Sequence, residues 1–106
     1  MTYTFTDGTQ STTASEVNLF DLTANEEFAA WIFLHNMTAS ETFRIKVYVK
    51  DQSAGSMRQY NSVDYTGVQA SPALYIPPVL TKQFRVTIQR TAGSDRQVNW
   101  QTIEVT

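Results

Sequence analysis

The stretch Thr42-Phe43-Arg44-Ile45-Lys46-Val47-Tyr48-Val49-Lys50 decides the fold, because apolar and polar side chains alternate along it. Every second residue is apolar, namely Phe43, Ile45, Val47 and Val49. A period of two places successive side chains on opposite faces of a pleated strand. The stretch therefore predicts a half-buried strand whose polar face carries Lys46, Tyr48 and Lys50.

The segment Gln83–Arg90 repeats this alternation, with Arg85 on its polar face. Two strands with one apolar face each can bury those faces against each other or against further strands. We therefore expect six residues to form the centre of the core: Phe43, Ile45, Val47, Phe84, Val86 and Ile88.

Weaker strand patterns fill the rest of the chain at short, regular intervals. They cover Thr2–Thr6, Glu16–Leu22, Phe28–Leu34, Met57–Thr66, Tyr75–Leu80 and Val98–Val105. No capped segment with helical periodicity exceeds two turns. The sequence thus predicts an all-β fold, a two-sheet antiparallel β-sandwich of seven or eight strands, with jelly-roll and immunoglobulin-like strand orders both open.

For two of these strands the sequence also predicts their position within a sheet. Phe28–Leu34 is apolar in both phases, which predicts a central strand covered on both faces. Pro77 and Pro78 cannot donate backbone hydrogen bonds, so Tyr75–Leu80 is expected at a sheet edge or broken at the prolines.

The last strand changes phase along its length. Val98 and Trp100 share one phase, whereas Ile103 and Val105 share the other. If all four side chains are to reach one core, an extra residue is needed between the pairs. We therefore expect a β-bulge near Gln101–Thr102.

The size and composition indicate one folded domain over residues 1–106. The chain is 42% hydrophobic and only 17% charged, which is too apolar for an intrinsically disordered segment. It has no cysteine, which excludes disulfides, thiolate nucleophiles and iron–sulfur ligation.

The charges disfavour several classes of partner. Eight Lys and Arg residues stand against ten Asp and Glu residues, and no window concentrates the basic ones. Nucleic-acid binders need a basic footprint, so no nucleic acid is expected. No apolar run is long enough to cross a membrane, and the N-terminus lacks the pattern of a signal peptide. We expect neither a membrane partner nor export by that route.

The residues that carry chemistry are scattered. His35 is the single histidine, and at the end of a strand it is expected to bond to the backbone rather than act as a base. The aspartates lie far apart in the sequence, without the spacing of a calcium loop. No glycine-rich phosphate loop is present. We therefore expect no catalytic residue, no metal site and no cofactor.

The exposed aromatic residues are the candidate contacts. Tyr48 lies on a polar face between Lys46 and Lys50, a position open to a solvated surface, a protein contact or sugar binding. Tyr3 and Phe5 lie in segment 1–8, which can form an N-terminal arm, and we expect a neighbouring molecule to hold it as a strand. The candidate interface is therefore Tyr3, Phe5, Lys46, Tyr48 and Lys50. Tyr3, Tyr48, Tyr60, Tyr65, Tyr75 and Trp31 could alternatively provide a sugar-stacking platform.

Four stretches together resemble the small cysteine-free β-sandwich proteins of tailed-phage and related virions, which decorate or cement capsids or form fibres. They are Phe20–Thr23, the apolar strand leading into Asn36–Thr38, Arg44–Lys50, and Arg90–Arg96 followed by Trp100. The resemblance implies a non-enzymatic structural protein of the virion, assembled in the host cytoplasm. It implies contacts with further copies of the chain, with a viral capsid protein, or with both. A carbohydrate-binding β-sandwich module is the alternative.

Overall fold

A computed structural model describes residues 3–23, 27–52, 54–80 and 82–105. Within these ranges the chain forms eight strands and no helix. The strands are β1 (Tyr3–Ser11), β2 (Val17–Thr23), β3 (Glu27–Phe33), β4 (Thr42–Lys50), β5 (Met57–Thr66), β6 (Ala73–Leu80), β7 (Gln83–Ala92) and β8 (Gln97–Val105). The all-β prediction is confirmed, and β4 and β5 have the predicted bounds.

The strands form two antiparallel four-stranded sheets. The first sheet has the order β1-β8-β3-β6, and the second has the order β2-β7-β4-β5. Strands from the two halves of the chain pair in reverse order: β1 with β8, β2 with β7, β3 with β6 and β4 with β5. The chain therefore has the pairing of one long hairpin that is folded into two layers. This is the strand order of a jelly roll. It excludes the immunoglobulin-like order, in which the first two strands share a sheet.

The core lies between the two sheets and contains all six predicted residues. Phe43, Phe84, Val86 and Ile88 are fully buried, and Ile45 and Val47 nearly so. The first sheet contributes Phe28, Ala30, Ile32 and Val98 from its inner face. The alternation in β4 and β7 therefore did indicate which face packs inward.

A β-bulge in β2 buries two consecutive residues. Asn18 pairs with Thr87 and Phe20 pairs with Val86, which leaves Leu19 as the extra residue. Leu19 and Phe20 are both buried in the core, although regular alternation would have placed them on opposite faces.

The bulge predicted in β8 is wrong. The register of β8 is continuous from Val105 opposite Tyr3 to Gln97 opposite Ser11, and its pairing with β3 is also unbroken. Val98 and Trp100 pack on the core side, whereas Ile103 is in the opposite phase. Both phases of β8 are apolar because both faces of the first sheet carry apolar residues.

The prediction for Phe28–Leu34 is partly right. β3 is central in its sheet, between β8 and β6, and its inner residues are buried. Trp31 and Phe33 point to the outer face and are only half-buried. All eight described strands belong to the two sheets, so no strand covers this outer face, and the predicted second cover is wrong.

The predicted edge position of the strand with the two prolines is confirmed. β6 pairs only with β3 and forms one edge of the first sheet. The register shifts there, because Phe28 pairs with Val79 whereas Ala30 pairs with Ile76. Pro77 and Pro78 thus lie in an irregularity at an edge, where their missing N–H groups break no ladder.

Segment 1–8 belongs to the protein's own sheet as far as it is described. Tyr3–Gly8 pairs residue by residue with β8, from Val105 to Trp100. The partner strand that we expected from a neighbouring molecule is therefore β8 of the same chain, which satisfies the backbone groups of this segment. Met1 and Thr2 lie outside the described residues.

A buried carboxylate joins the loops at one end of the sandwich. Glu41 is fully buried and accepts hydrogen bonds from the Thr38 backbone N–H at 2.7 Å and from Arg96 Nε at 3.0 Å. The Ser40 and Thr38 hydroxyls also donate to it. These bonds, first of all that from Ser40, lower the pKa of Glu41 to about 2. The β3–β4 loop is thereby fixed to the β7–β8 loop.

Candidate functional site

The two sheets differ sharply in charge. The strands of the first sheet contain no Lys or Arg, whereas β4, β5 and β7 of the second sheet contain six of the eight. The second sheet therefore presents a charged outer face, and the first presents a face without cations.

The predicted residue Tyr48 belongs to a hydrogen-bonded group on the second sheet. Its hydroxyl donates to Glu16 Oε2 at 2.6 Å, and the Thr87 hydroxyl donates to the same oxygen. The hydrogen bond from Thr87 and, to a smaller extent, that from Tyr48 lower the pKa of Glu16. The pKa of Tyr48 is raised, mainly by desolvation and to a smaller extent by its hydrogen bond to Glu16. The Tyr48 hydroxyl is thus engaged within the chain.

Two arginines on this face form ion pairs with aspartates. Arg44 binds Asp64 through two nitrogens, at 2.9 and 3.2 Å, and Arg85 binds Asp21 at 3.0 Å. Lys46 lines a shallow polar depression together with Arg44 and Asp64. This face has the character of a solvated surface.

The five predicted interface residues do not form one surface. Lys46, Tyr48 and Lys50 lie on β4 in the second sheet, whereas Tyr3 and Phe5 lie on β1 in the first. A partner that contacts both sets would have to reach both sheets of the sandwich.

The outer face of the first sheet carries an apolar patch. Tyr3 is 58% exposed, Phe5 is 61% exposed and Tyr75 is 48% exposed. Phe5 pairs with Ile103 across the sheet, and the rings of Trp31 and Tyr75 lie 4.7 Å apart between centroids. We call this set the apolar patch: Tyr3, Phe5, Trp31, Tyr75 and Ile103.

Only Tyr3 and Phe5 of this patch were in the predicted interface. Two of the other three residues, Trp31 and Ile103, had a signal in the sequence, because β3 and β8 have apolar residues in both phases. From the sequence alone, this pattern predicts a second covering layer for β3 and a bulge in β8. An apolar outer face of the first sheet explains the apolar residues in both phases of β3 and β8, with no second covering layer and no bulge.

A polar hollow adjoins the apolar patch on the same face. It has a volume of about 470 Å³ and lies where Asp7 pairs with Gln101 and Thr9 pairs with Asn99. The Thr9 hydroxyl donates to Asn99 Oδ1 at 3.0 Å. We call this set the polar hollow: Asp7, Thr9, Phe33, His35, Asn99 and Gln101.

His35 follows β3 and is exposed at the margin of the polar hollow. The expected bond from its ring to the backbone is not formed with any described residue. Among the described residues, no group of three or more His, Asp or Glu side chains is arranged to hold a metal ion. In the same part of the chain, no helix is long and apolar enough to span a membrane.

A third opening lies between the sheets beside the edge strands β5 and β6. This cleft has a volume of about 210 Å³ and an apolar floor that includes Ile45, Val47 and Leu74. Three of the tyrosines predicted as a platform line it, namely Tyr60, Tyr65 and Tyr75. Tyr3 and Tyr48 lie elsewhere, so the six predicted platform residues are not brought together.

No protein-family model matches this sequence, and no curated protein matches it at a significant level. The chemistry of these surfaces is therefore the basis for a functional proposal.

Proposed function

We propose that the protein is a non-enzymatic structural component of a virion, a capsid decoration or assembly protein, which acts through protein–protein contacts. The observation that carries this proposal is the apolar patch on a sheet without cations. The jelly-roll order is compatible with it, since that architecture recurs in viral capsid proteins as well as in lectin domains. Because one fold serves many functions, the argument depends on the surface.

The apolar patch exposes three aromatic side chains to water. Tyr3, Phe5 and Tyr75 are each about half exposed or more, and an aromatic side chain has about 150–250 Å² of surface. These three residues alone thus leave roughly 250–400 Å² of aromatic surface open to solvent. The largest apolar patch on a monomeric protein typically measures about 300–600 Å² and is often functional, and the apolar patch here is of that order.

The occupant that we propose for the apolar patch is a second copy of this chain. A standard interface buries about 800 Å² per partner, and the three aromatics supply roughly a third to a half of that area as a central anchor. None of the five patch residues is charged. Contacts between the five residues of the two patches therefore bury no charge, and the unpaired carboxylate of Asp7, which borders the patch next to Phe5, has to stay in contact with water.

The test is the mass of the purified chain in solution, measured by sedimentation equilibrium over a range of concentrations. Phe5→Ser should weaken self-association at least tenfold, and Tyr75→Ser should act in the same direction. Val68→Ser is the matched control, because Val68 is 72% exposed and lies in a loop outside the patch. A monomeric wild-type chain at millimolar concentration would refute a second copy as the occupant.

The virion assignment has its own test. An antibody against the chain should detect it in gradient-purified particles of the virus that encodes it, in a constant ratio to the shell protein. Its absence from such particles would refute the assignment even if the chain self-associates.

A further inference from the structure

The polar hollow contains an aspartate that differs from all others in the protein. Asp21, Asp51, Asp64 and Asp95 each form a salt bridge with an arginine. The fifth arginine, Arg96, pairs with Glu41. Asp7 alone among the aspartates has no ion pair and no side-chain hydrogen bond with any described residue. Asp7 is exposed, and its carboxylate is therefore free to accept hydrogen bonds from a ligand.

Other polar side chains around Asp7 also lack hydrogen bonds with the described residues. The Gln101 amide and the His35 imidazole form no hydrogen bond with any residue in the described ranges, although both line the polar hollow with Asp7. Thr9 donates to the Asn99 amide oxygen, which holds that side chain in place and leaves its nitrogen available as a donor. The hollow thus presents an acceptor, two amides and an imidazole toward one space.

An aromatic surface borders these polar groups. Phe33 lines the hollow, and its ring stacks on Trp31 with centroids 6.5 Å apart and planes 16° apart. Trp31 in turn contacts Tyr75. The two stacked rings give an apolar surface beside the polar groups.

This combination matches a polyhydroxylated ring. Sugar hydroxyls both donate and accept, so they can bond to a carboxylate and to amides at once, while the C–H face of the ring packs on an aromatic side chain. The volume of about 470 Å³ is within the range of small-molecule sites. The first sheet has no Lys or Arg, and Asp7 repels anions, which disfavours acidic sugars.

We propose that the polar hollow binds a neutral oligosaccharide. Asp7, Asn99 and Gln101 bond to its hydroxyls, and Phe33 packs against one sugar ring. The wide opening of the hollow suits an internal stretch of a linear glycan rather than a single enclosed sugar. The polar hollow borders the apolar patch but shares none of its residues, so sugar binding can be tested independently of the self-association proposed above.

The test is a titration of the isotope-labelled full chain followed by amide chemical shifts. The probes are three neutral oligosaccharides, cellohexaose, maltohexaose and chitohexaose, with oligogalacturonate as the anionic comparison. At least one neutral probe should bind at millimolar concentration or below and shift the amides of residues 7–9 and 99–101. Oligogalacturonate should bind at least tenfold more weakly than that probe.

Two variants assign the binding to the named side chains. Asp7→Asn and Asn99→Ala should each weaken binding at least tenfold, and both sites are exposed, so folding should persist. Asp64→Asn is the matched control, since it makes the same chemical change on the second sheet. Phe5→Ser should leave sugar affinity unchanged, which separates this result from self-association.

Three outcomes would overturn the proposal. One is the absence of shifts with all three neutral probes at 10 mM. The second is a set of shifts confined to other residues, such as those lining the cleft between β5 and β6. The third is wild-type affinity in both Asp7→Asn and Asn99→Ala.

Discussion

Gly8 and Trp100 lie opposite each other in the β1–β8 pair, and the indole ring of Trp100 covers the α-carbon of Gly8. A Cβ atom at position 8 would lie 2.5 Å from Trp100 Cζ2 and 2.7 Å from Cε2. Carbon atoms in contact are normally about 3.5–4.0 Å apart. The ring also packs on Phe20, with centroids 5.4 Å apart. Glycine at this position therefore lets the indole close one edge of the core.

Gly8→Val is expected to lower the free energy of unfolding by about 1–3 kcal/mol, because the new side chain forces the indole or the strand to move. Urea unfolding monitored by tryptophan fluorescence measures the change. Thr4→Val is the control, since position 4 is in the same phase of β1 and is exposed. Equal stabilities of Gly8→Val and the wild type would contradict the packing described here.

Ile45→Ala should lower the free energy of unfolding by about 2–5 kcal/mol, because it opens a cavity between the two sheets. Lys46→Ala, the neighbouring change on the outer face of β4, should alter it by less than about 0.5 kcal/mol. Urea unfolding of both variants makes the comparison. A larger loss for Lys46→Ala would mean that the faces of β4 are inverted.

Glu41 should make the protein sensitive to acid. Its carboxyl group titrates near 4.5 when unfolded and near 2 in the fold, so the unfolded chain binds a proton first as the pH falls. The stability that Glu41 provides is therefore present above about pH 5 and is lost as the pH falls toward 2. Urea unfolding at several pH values measures this loss.

Glu41→Gln isolates the contribution of Glu41 from those of the other carboxylates. The variant should be less stable than the wild type at pH 7, and the difference should shrink as the pH approaches 2. A constant difference between the two proteins across this range would show that the charge on Glu41 has no role.

Tyr48→Phe tests whether Tyr48 acts within the chain or at an interface. The variant loses the hydrogen bond to Glu16, and because that pair is partly exposed we expect a cost of at most about 1 kcal/mol. Self-association should be unchanged, since Tyr48 lies on the second sheet. Weakened self-association of Tyr48→Phe in sedimentation experiments would show that Tyr48 contributes to the interface between copies.

The strands could be predicted because each one is encoded by its own residues. Alternation in Thr42–Lys50 and Gln83–Arg90 indicates both the extended conformation and the buried face, since apolar side chains that share a phase are driven out of water together. The two prolines at 77 and 78 indicated an edge for an equally local reason, which is their lack of an N–H group. The all-β class and the six core residues could therefore be predicted from each segment alone, without knowing which strands pair.

The candidate sites were much less predictable. Asp7 and Gln101 come from opposite ends of the chain and become neighbours only through the β1–β8 register. The sequence likewise does not show that Asp7 lacks an arginine partner, because this requires the positions of all five arginines in the fold. Electrostatic pairing depends on distances in space, which the spacing of residues along the sequence does not report.

The sequence by itself determined the all-β class and the buried faces of β4 and β7, because these depend on periodicity within each segment. Only the tertiary structure decided that β1 pairs with β8, that the order is a jelly roll, and that the outer face of β3 stays uncovered. A strand apolar in both phases, such as Glu27–Phe33, is compatible with two covering layers or with one layer and an open interaction surface. The choice between them depends on where the other strands pack, and this is a property of the whole chain rather than of the segment.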